Sequence, residues 1–144
     1  GYNNVKVTNK LDNSYIKYIF YNESEINQLS GLNDSMANLG GFLKRMGLLK
    51  QKEVYGAGNN LLQETAFSYE IGNQPIAGVQ NNGGPVKKIF IKKETQILKD
   101  YTNGGNQTFT NITESNYESA YNNMVYSKET LNDGNIIEKN IRYA

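Results

Sequence analysis

The side chains available for chemistry are carboxylates, amines, phenols, hydroxyls and amides, because the sequence contains no His, no Cys and no Trp. That composition excludes Ser-His-Asp and Cys-His catalysis, thiolate nucleophiles, disulfides, and zinc or haem sites built on imidazole or thiolate. Paired carboxylates remain, since glycoside hydrolysis needs only two at a set separation. Glu64, Glu70, Glu94, Asp100 and Glu114 are candidates, but no motif selects a pair among them. The glycine-rich stretch Asn81-Asn82-Gly83-Gly84-Pro85 lacks the following Lys-Ser/Thr or helix start that cradles a phosphate. These gaps point away from an enzyme and from any bound cofactor or metal.

Two other groups of side chains suit recognition. Lys87, Lys88, Lys92 and Lys93 gather in seven residues. In a strand, Lys88 and Lys92 share a face with Val86 and Phe90, while Lys87 and Lys93 share the other with Ile89 and Ile91. Charge on both faces predicts an edge strand, where Lys deters sheet-to-sheet association. The functional alternative is contact with a phosphate or an acidic surface, although no Arg is there to grip one bidentately. Tyr2, Tyr101, Tyr117, Tyr121, Tyr126 and Tyr143 lie among Asn, Ser and Thr. Exposed Tyr gives stiff amphipathic contact area, as binding surfaces use. With the expected loop around Asn82, Gly83 and Gly84, the interaction candidates are Lys88, Lys92, Tyr101, Tyr117 and Tyr121.

Length and charge set the frame for these residues. A chain of 144 residues is one domain by size, and its net charge of +1 weighs against binding nucleic acid or anionic lipid through long-range charge. No stretch is apolar enough to span a bilayer as a helix, and no signal-peptide pattern is present. The start at Gly1 fits a trimmed mature protein or a domain cut from a longer chain with a tag remnant. Asn occurs 22 times, often in pairs, a habit of exported or virion proteins and equally of AT-rich genomes. Sequons begin at Asn22, Asn33, Asn106 and Asn111, as chance allows with so much Asn.

The elements follow from periodicity. Leu11, Tyr15, Ile16, Ile19 and Phe20 fall at helical spacing, as do Ile26, Leu29, Leu32, Met36, Leu39, Leu43 and Met46, with Gly31 splitting the second run. Gln63 to Ile71 alternates as a strand, with Thr65, Phe67, Tyr69 and Ile71 on one face. Lys50 to Tyr55 is expected to pair with it. Residues 72–85 hold four Gly and both Pro and read as a long loop. A strand follows at Val86–Lys93, then a hairpin across Asn103-Gly104-Gly105-Asn106. Ser115-x-x-Glu118 has the form of a capping box, which predicts a helix carrying Tyr117, Ala120, Tyr121, Met124 and Val125 on one face. A last strand, Asn135 to Tyr143, points Ile137, Ile141 and Tyr143 inward. No internal repeat stands out.

The expected fold is α+β in a single domain: an N-terminal helical layer over residues 1–49, an antiparallel sheet of about five or six strands over residues 50–144, and one late helix near 115–129 packed on the sheet. The order of helices within residues 12–49, followed by a hairpin over 50–71, resembles a winged helix, which implies a cytoplasmic DNA-binding regulator. The proposed recognition helix departs from that family. It has Gly40-Gly41 in its middle and only Lys44 and Arg45 as basic groups, both toward its far end. A non-catalytic structural, assembly or attachment protein is the favoured expectation, acting outside the cytoplasm as a component of a phage particle, surface filament or secretion apparatus. Its partners would be copies of itself or other structural proteins. An inhibitor or immunity protein that binds a protein partner fits the same composition.

Overall fold

A computed structural model describes residues 3–30, 47–81, 84–102 and 104–144. The chain folds into one eight-stranded antiparallel sheet: β1 (Asn4–Thr8), β2 (Tyr15–Phe20), β3 (Leu49–Tyr55), β4 (Leu61–Asn81), β5 (Gly84–Tyr101), β6 (Gln107–Tyr117), β7 (Met124–Thr130) and β8 (Ile136–Asn140). The strands lie in sequence order, each hydrogen-bonded to the next. Among the described residues one eight-residue helix, α1 (Glu23–Ser30), interrupts them. The molecule is therefore nearly all β, and the α+β expectation with its helical layer and smaller sheet is wrong. None of the described helices is long and apolar enough to cross a membrane.

Short turns make the meander possible, and three of them share one construction. In 56–60, 102–106 and 131–135, the first residue's N–H bonds the fifth residue's carbonyl, and the fourth residue's N–H bonds the first residue's carbonyl. The fourth residue has positive φ in each case: Asn59, Gly105 and Gly134. A left-handed residue at that place suits Gly and tolerates Asn. The fifth residue is always Asn: Asn60, Asn106 and Asn135. With the β1–β2 connection, these turns lie at one end of the sheet, because a meander alternates ends. A recurring hairpin is thus present where no repeat was expected.

At the opposite end the connections differ. Asn22 caps α1 reciprocally with Glu25: Glu25 N–H donates to Asn22 Oδ1 at 2.9 Å, and Asn22 N–H to Glu25 Oε2 at 2.8 Å. Glu25 also pairs with Lys50 on β3. The helix covers part of β4. Ile26, Leu48 and Tyr69 are 2%, 5% and 8% exposed, with Tyr21, Phe67, Ile71 and Ile91 packed around them. Tyr21 and Tyr69 meet edge to face, and their hydroxyls donate to the carbonyls of Phe67 and Leu49. These three are the buried hydrophobic residues of the described chain.

Elsewhere, among the described residues, no second layer covers the sheet. Strands β2, β3 and β7 are half-buried at every position, whereas β1 and β8 are exposed throughout. The accessible surface is 9533 Å². A compact monomer of this mass exposes about 7,500 Å². Side chains laid along the sheet supply what a core would. Tyr15 stacks on Tyr55 at 4.6 Å, with Lys6 over the first ring at 3.9 Å and Lys17 over the second at 5.1 Å.

Four further expectations need correction. The helix read over Leu11 to Phe20 is β2 behind the turn that closes β1. Residues 72–85 are not a loop: all but 82 and 83 belong to β4 and β5. The helix at 115–129 is the end of β6, a turn and β7. Ser115 sits buried in β6, and Glu118 accepts the backbone N–H groups of Ala120, Tyr121 and Asn123 in the turn. Carboxylate capping is real there, but it closes a reverse turn. Ile137 and Tyr143 point outward, at 44% and 58% exposure. By contrast, the hairpins of Lys50–Tyr55 with Gln63–Ile71 and of β5 with β6 are present, as is a helix over Glu23–Ser30, while the break expected at Gly31 lies outside the described residues. The proposed recognition helix within 33–46 lies outside the described residues.

Candidate functional site

Strands β4 and β5 outrun their neighbours. β3 pairs with β4 only as far as Ala66, and β6 reaches back along β5 only to Lys93. Beyond Ile71 and Ile91 the two strands continue as a ribbon, in register through Pro75 and Lys87 and again at Gln80–Pro85 and Asn81–Gly84. No other described strand pairs with it there. Ten residues of strand reach roughly 30 Å. Both its strands are edges, so neither Pro deprives a third strand of a donor. No acidic residue occurs from Ile71 to Lys93, while Lys87, Lys88, Lys92 and Lys93 do, so the ribbon is basic.

An open polar groove lies where the ribbon leaves the sheet, lined by Glu70, Lys92, Lys93, Glu114, Asn116, Tyr117, Tyr126 and Lys128. Two cross-strand rows build it. Glu70, Lys93, Asn116, Tyr126 and Asn140 follow one another across β4 to β8, and Thr95, Glu114, Lys128 and Glu138 follow across β5 to β8. Directly paired residues share a face, so the groove is a stripe of alternating charge. Lys93 and Glu114 form an ion pair. The hydrogen bond between them raises the Lys93 ammonium above its ordinary value and holds the Glu114 carboxyl below its own. Tyr126 donates to Glu138 at 3.0 Å, and burial followed by that bond raises its phenol. A carboxyl held low stays ionised, which suits charge pairing and not proton donation. Among the described residues no group of three or more acidic side chains gathers as a metal would require.

The structure brings two of the expected interaction residues together here, Lys92 and Tyr117. Lys92 is exposed, and Tyr117 is half-buried with its phenol raised by burial and then by Glu94. Tyr121 is 83% exposed in the β6–β7 turn. Tyr101 ends β5 at the far end of the sheet. Lys88 stands opposite Gln74 on the ribbon, and Gly84 opposite Asn81 near its tip. Asn82 and Gly83 lie outside the described residues. The Lys-rich strand is an edge over the ribbon only: β5 is fifth of eight, and its second half is paired on both sides. Of the sequons, Asn111 sits within β6 with its amide donating to Glu129 at 2.6 Å.

Sequence reading gave no strand at β1, and it gave β8 as an inward-facing strand where the structure has an edge of the sheet. β1 carries exposed Val5 and Val7, and β8 exposed Ile136 and Ile137. Alternation of Val5 and Val7 with Asn4, Lys6 and Thr8 was the available signal for β1. No protein-family model, curated protein or solved structure matches the chain.

Proposed function

We propose that this chain is a non-catalytic structural or assembly protein that works by protein–protein contact, presented outside the cytoplasm in a particle, surface filament or secretion apparatus. The observation that carries this reading is the excess of surface over a compact monomer, about 2,000 Å². Stable protein–protein interfaces bury about 1,600 Å² in total, about 800 Å² on each partner, so an excess of this size is enough for such contacts. Two exposed strand edges, a basic ribbon and a stripe of paired charges add directional contacts to that area. The absence of imidazole and thiol from the sequence supports the same reading.

Sedimentation velocity over a concentration series tests it. Multimers that grow with concentration are the expected result. A monomer at every concentration counts against contact between copies. Turnover of a defined small molecule that disappears in Glu70→Gln or Glu114→Gln would overturn the non-catalytic reading itself.

A further inference from the structure

We infer that copies of this chain join edge to edge, β8 of one pairing with β1 of the next, so that the sheet continues across the junction. This rests on the assembly reading above and names its partner, a second copy. Strand parity comes first. In an antiparallel meander of eight strands, β1 and β8 run in opposite directions. A copy placed beside β8 with its β1 therefore meets it antiparallel, the pairing used at every junction within the chain. The interface is heterologous, so each addition leaves one free β1 and one free β8 and assembly is open-ended.

Hydrogen bonding and side-chain facing then select the same register. Asn3 accepts from Phe20 N–H and Asn9 N–H donates to Ser14, so the odd residues of β1 bond inward to β2. Asn4, Lys6 and Thr8 turn their backbone groups to the free edge. On β8, the bonds Leu131–Asn135 and Ile141–Val125 put the odd residues inward and leave Ile136, Glu138 and Asn140 free. Both strands are five residues long. Full overlap sets Lys6 opposite Glu138, Thr8 opposite Ile136 and Asn4 opposite Asn140 as hydrogen-bonded pairs. Val7 falls opposite Ile137 between them.

Each such pair also keeps its face. Lys6 is in the row of Lys17, Glu53, Glu64 and Lys99, on the same side of the sheet as the row Glu114, Lys128 and Glu138. Docking joins the two into one stripe, with Glu138 of one copy beside Lys6 of the other. Neither residue has an ion-pair partner among the described residues. Charges on edge strands usually blunt them. Here opposite charges meet in the face-preserving register, which blunts other pairings and favours this one.

A cysteine-free chain makes the test clean. Val7→Cys and Ile137→Cys are made as separate proteins, both at exposed positions. Mixing the two under mild oxidation is expected to give a disulfide-linked dimer, each alone only background, and the double variant in one chain a ladder of multimers. The opposed pair in a non-hydrogen-bonded site has Cα atoms about 4.5 Å apart, within disulfide reach. As a second arm, Lys6→Glu is expected to weaken association about fivefold, and Lys6→Glu with Glu138→Lys in one chain to restore it. No mixed dimer above background, with no effect of the charge swap, overturns the proposal. If sedimentation still shows multimers in that case, the broader assembly reading survives. A monomer throughout removes both this junction and contact between copies.

Discussion

The stretch of β4 beneath α1 and the rest of the sheet are built from the same kinds of residue but held in different ways. Under α1, Ile26, Leu48 and Tyr69 lose nearly all contact with water, and two phenol hydroxyls find backbone carbonyls. Burial of this sort is worth roughly 1.5–3 kcal/mol per large side chain. Across β1, β2 and β6–β8 no comparable cluster occurs among the described residues. Those strands depend on ladder hydrogen bonds, the tight turns and side chains that lie along the surface, such as the Tyr15–Tyr55 stack between two lysines. Among the described residues the contrast is between a small anchored region and a wide one without a covering layer, and the proposed contacts between copies would fall on the second.

Substitutions should separate the two regions by size of effect. Ile26→Ala is expected to cost the most, about 2–5 kcal/mol in a urea melt, because it hollows the covered region. Next come Gly105→Ala and Gly134→Ala, each about 1–2 kcal/mol, since both residues sit at positive φ where a Cβ is strained whatever the space around it. A loss as large as that of Ile26→Ala at either glycine would erase the distinction. Tyr69→Phe should cost about 1 kcal/mol, by leaving the Leu49 carbonyl without its donor.

Acid and alkali should also act on different parts. Hydrogen bonds hold Glu25 and Glu114 below the ordinary value of 4.5, from Lys50 and the Asn22 N–H in the first case and from Lys93 in the second. Their contribution is therefore present above that pH and fades as pH falls through the lowered values. Both pairs are solvent-accessible, so the acid loss should be slight and smaller still in high salt. Burial and the Glu53 bond push the Tyr55 phenol up to about 12, and burial pushes Tyr69 higher still. A phenol kept neutral by the fold stabilises fully below its ordinary value of 10.0 and loses that contribution as pH rises through the folded value. Melting temperature against pH should fall more steeply on the alkaline side, and Tyr69→Phe should flatten that limb. An unchanged alkaline limb in Tyr69→Phe would mean that the covered region does not set it.

The same contrast explains what was legible in the sequence. Gln63–Ile71 could be read because α1 covers one face of it, which leaves a clean period of two in Thr65, Phe67 and Tyr69. β2 could not, since both its faces are half-covered and apolar residues sit on each. Tyr15 and Ile19 share one face, and Ile16 and Tyr18 the other, and the mixture imitates helical spacing. Tyr117 and Met124 looked like two turns of one helix, seven residues apart, because a reverse turn sets them opposite each other. The Gly and Pro of residues 72–85 read as loop because a two-stranded ribbon without further neighbours tolerates residues that a central strand would reject. Lys92 and Tyr117 were singled out by type and do line one groove, but their partners Glu70, Glu114 and Lys128 meet them only through pairing across strands far apart in sequence.

In the proposed assembly the free edges of β1 and β8 are the places where another copy attaches. Amide hydrogen exchange, followed residue by residue at several protein concentrations, addresses it directly. In dilute solution Lys6, Thr8, Glu138 and Asn140 should exchange quickly, while Val5, Val7, Ile137 and Lys139, bonded inward, are slow. At high concentration the fast set should slow on both strands together. Rapid exchange at those four amides that does not change with concentration, or slowing confined to one edge, would contradict it.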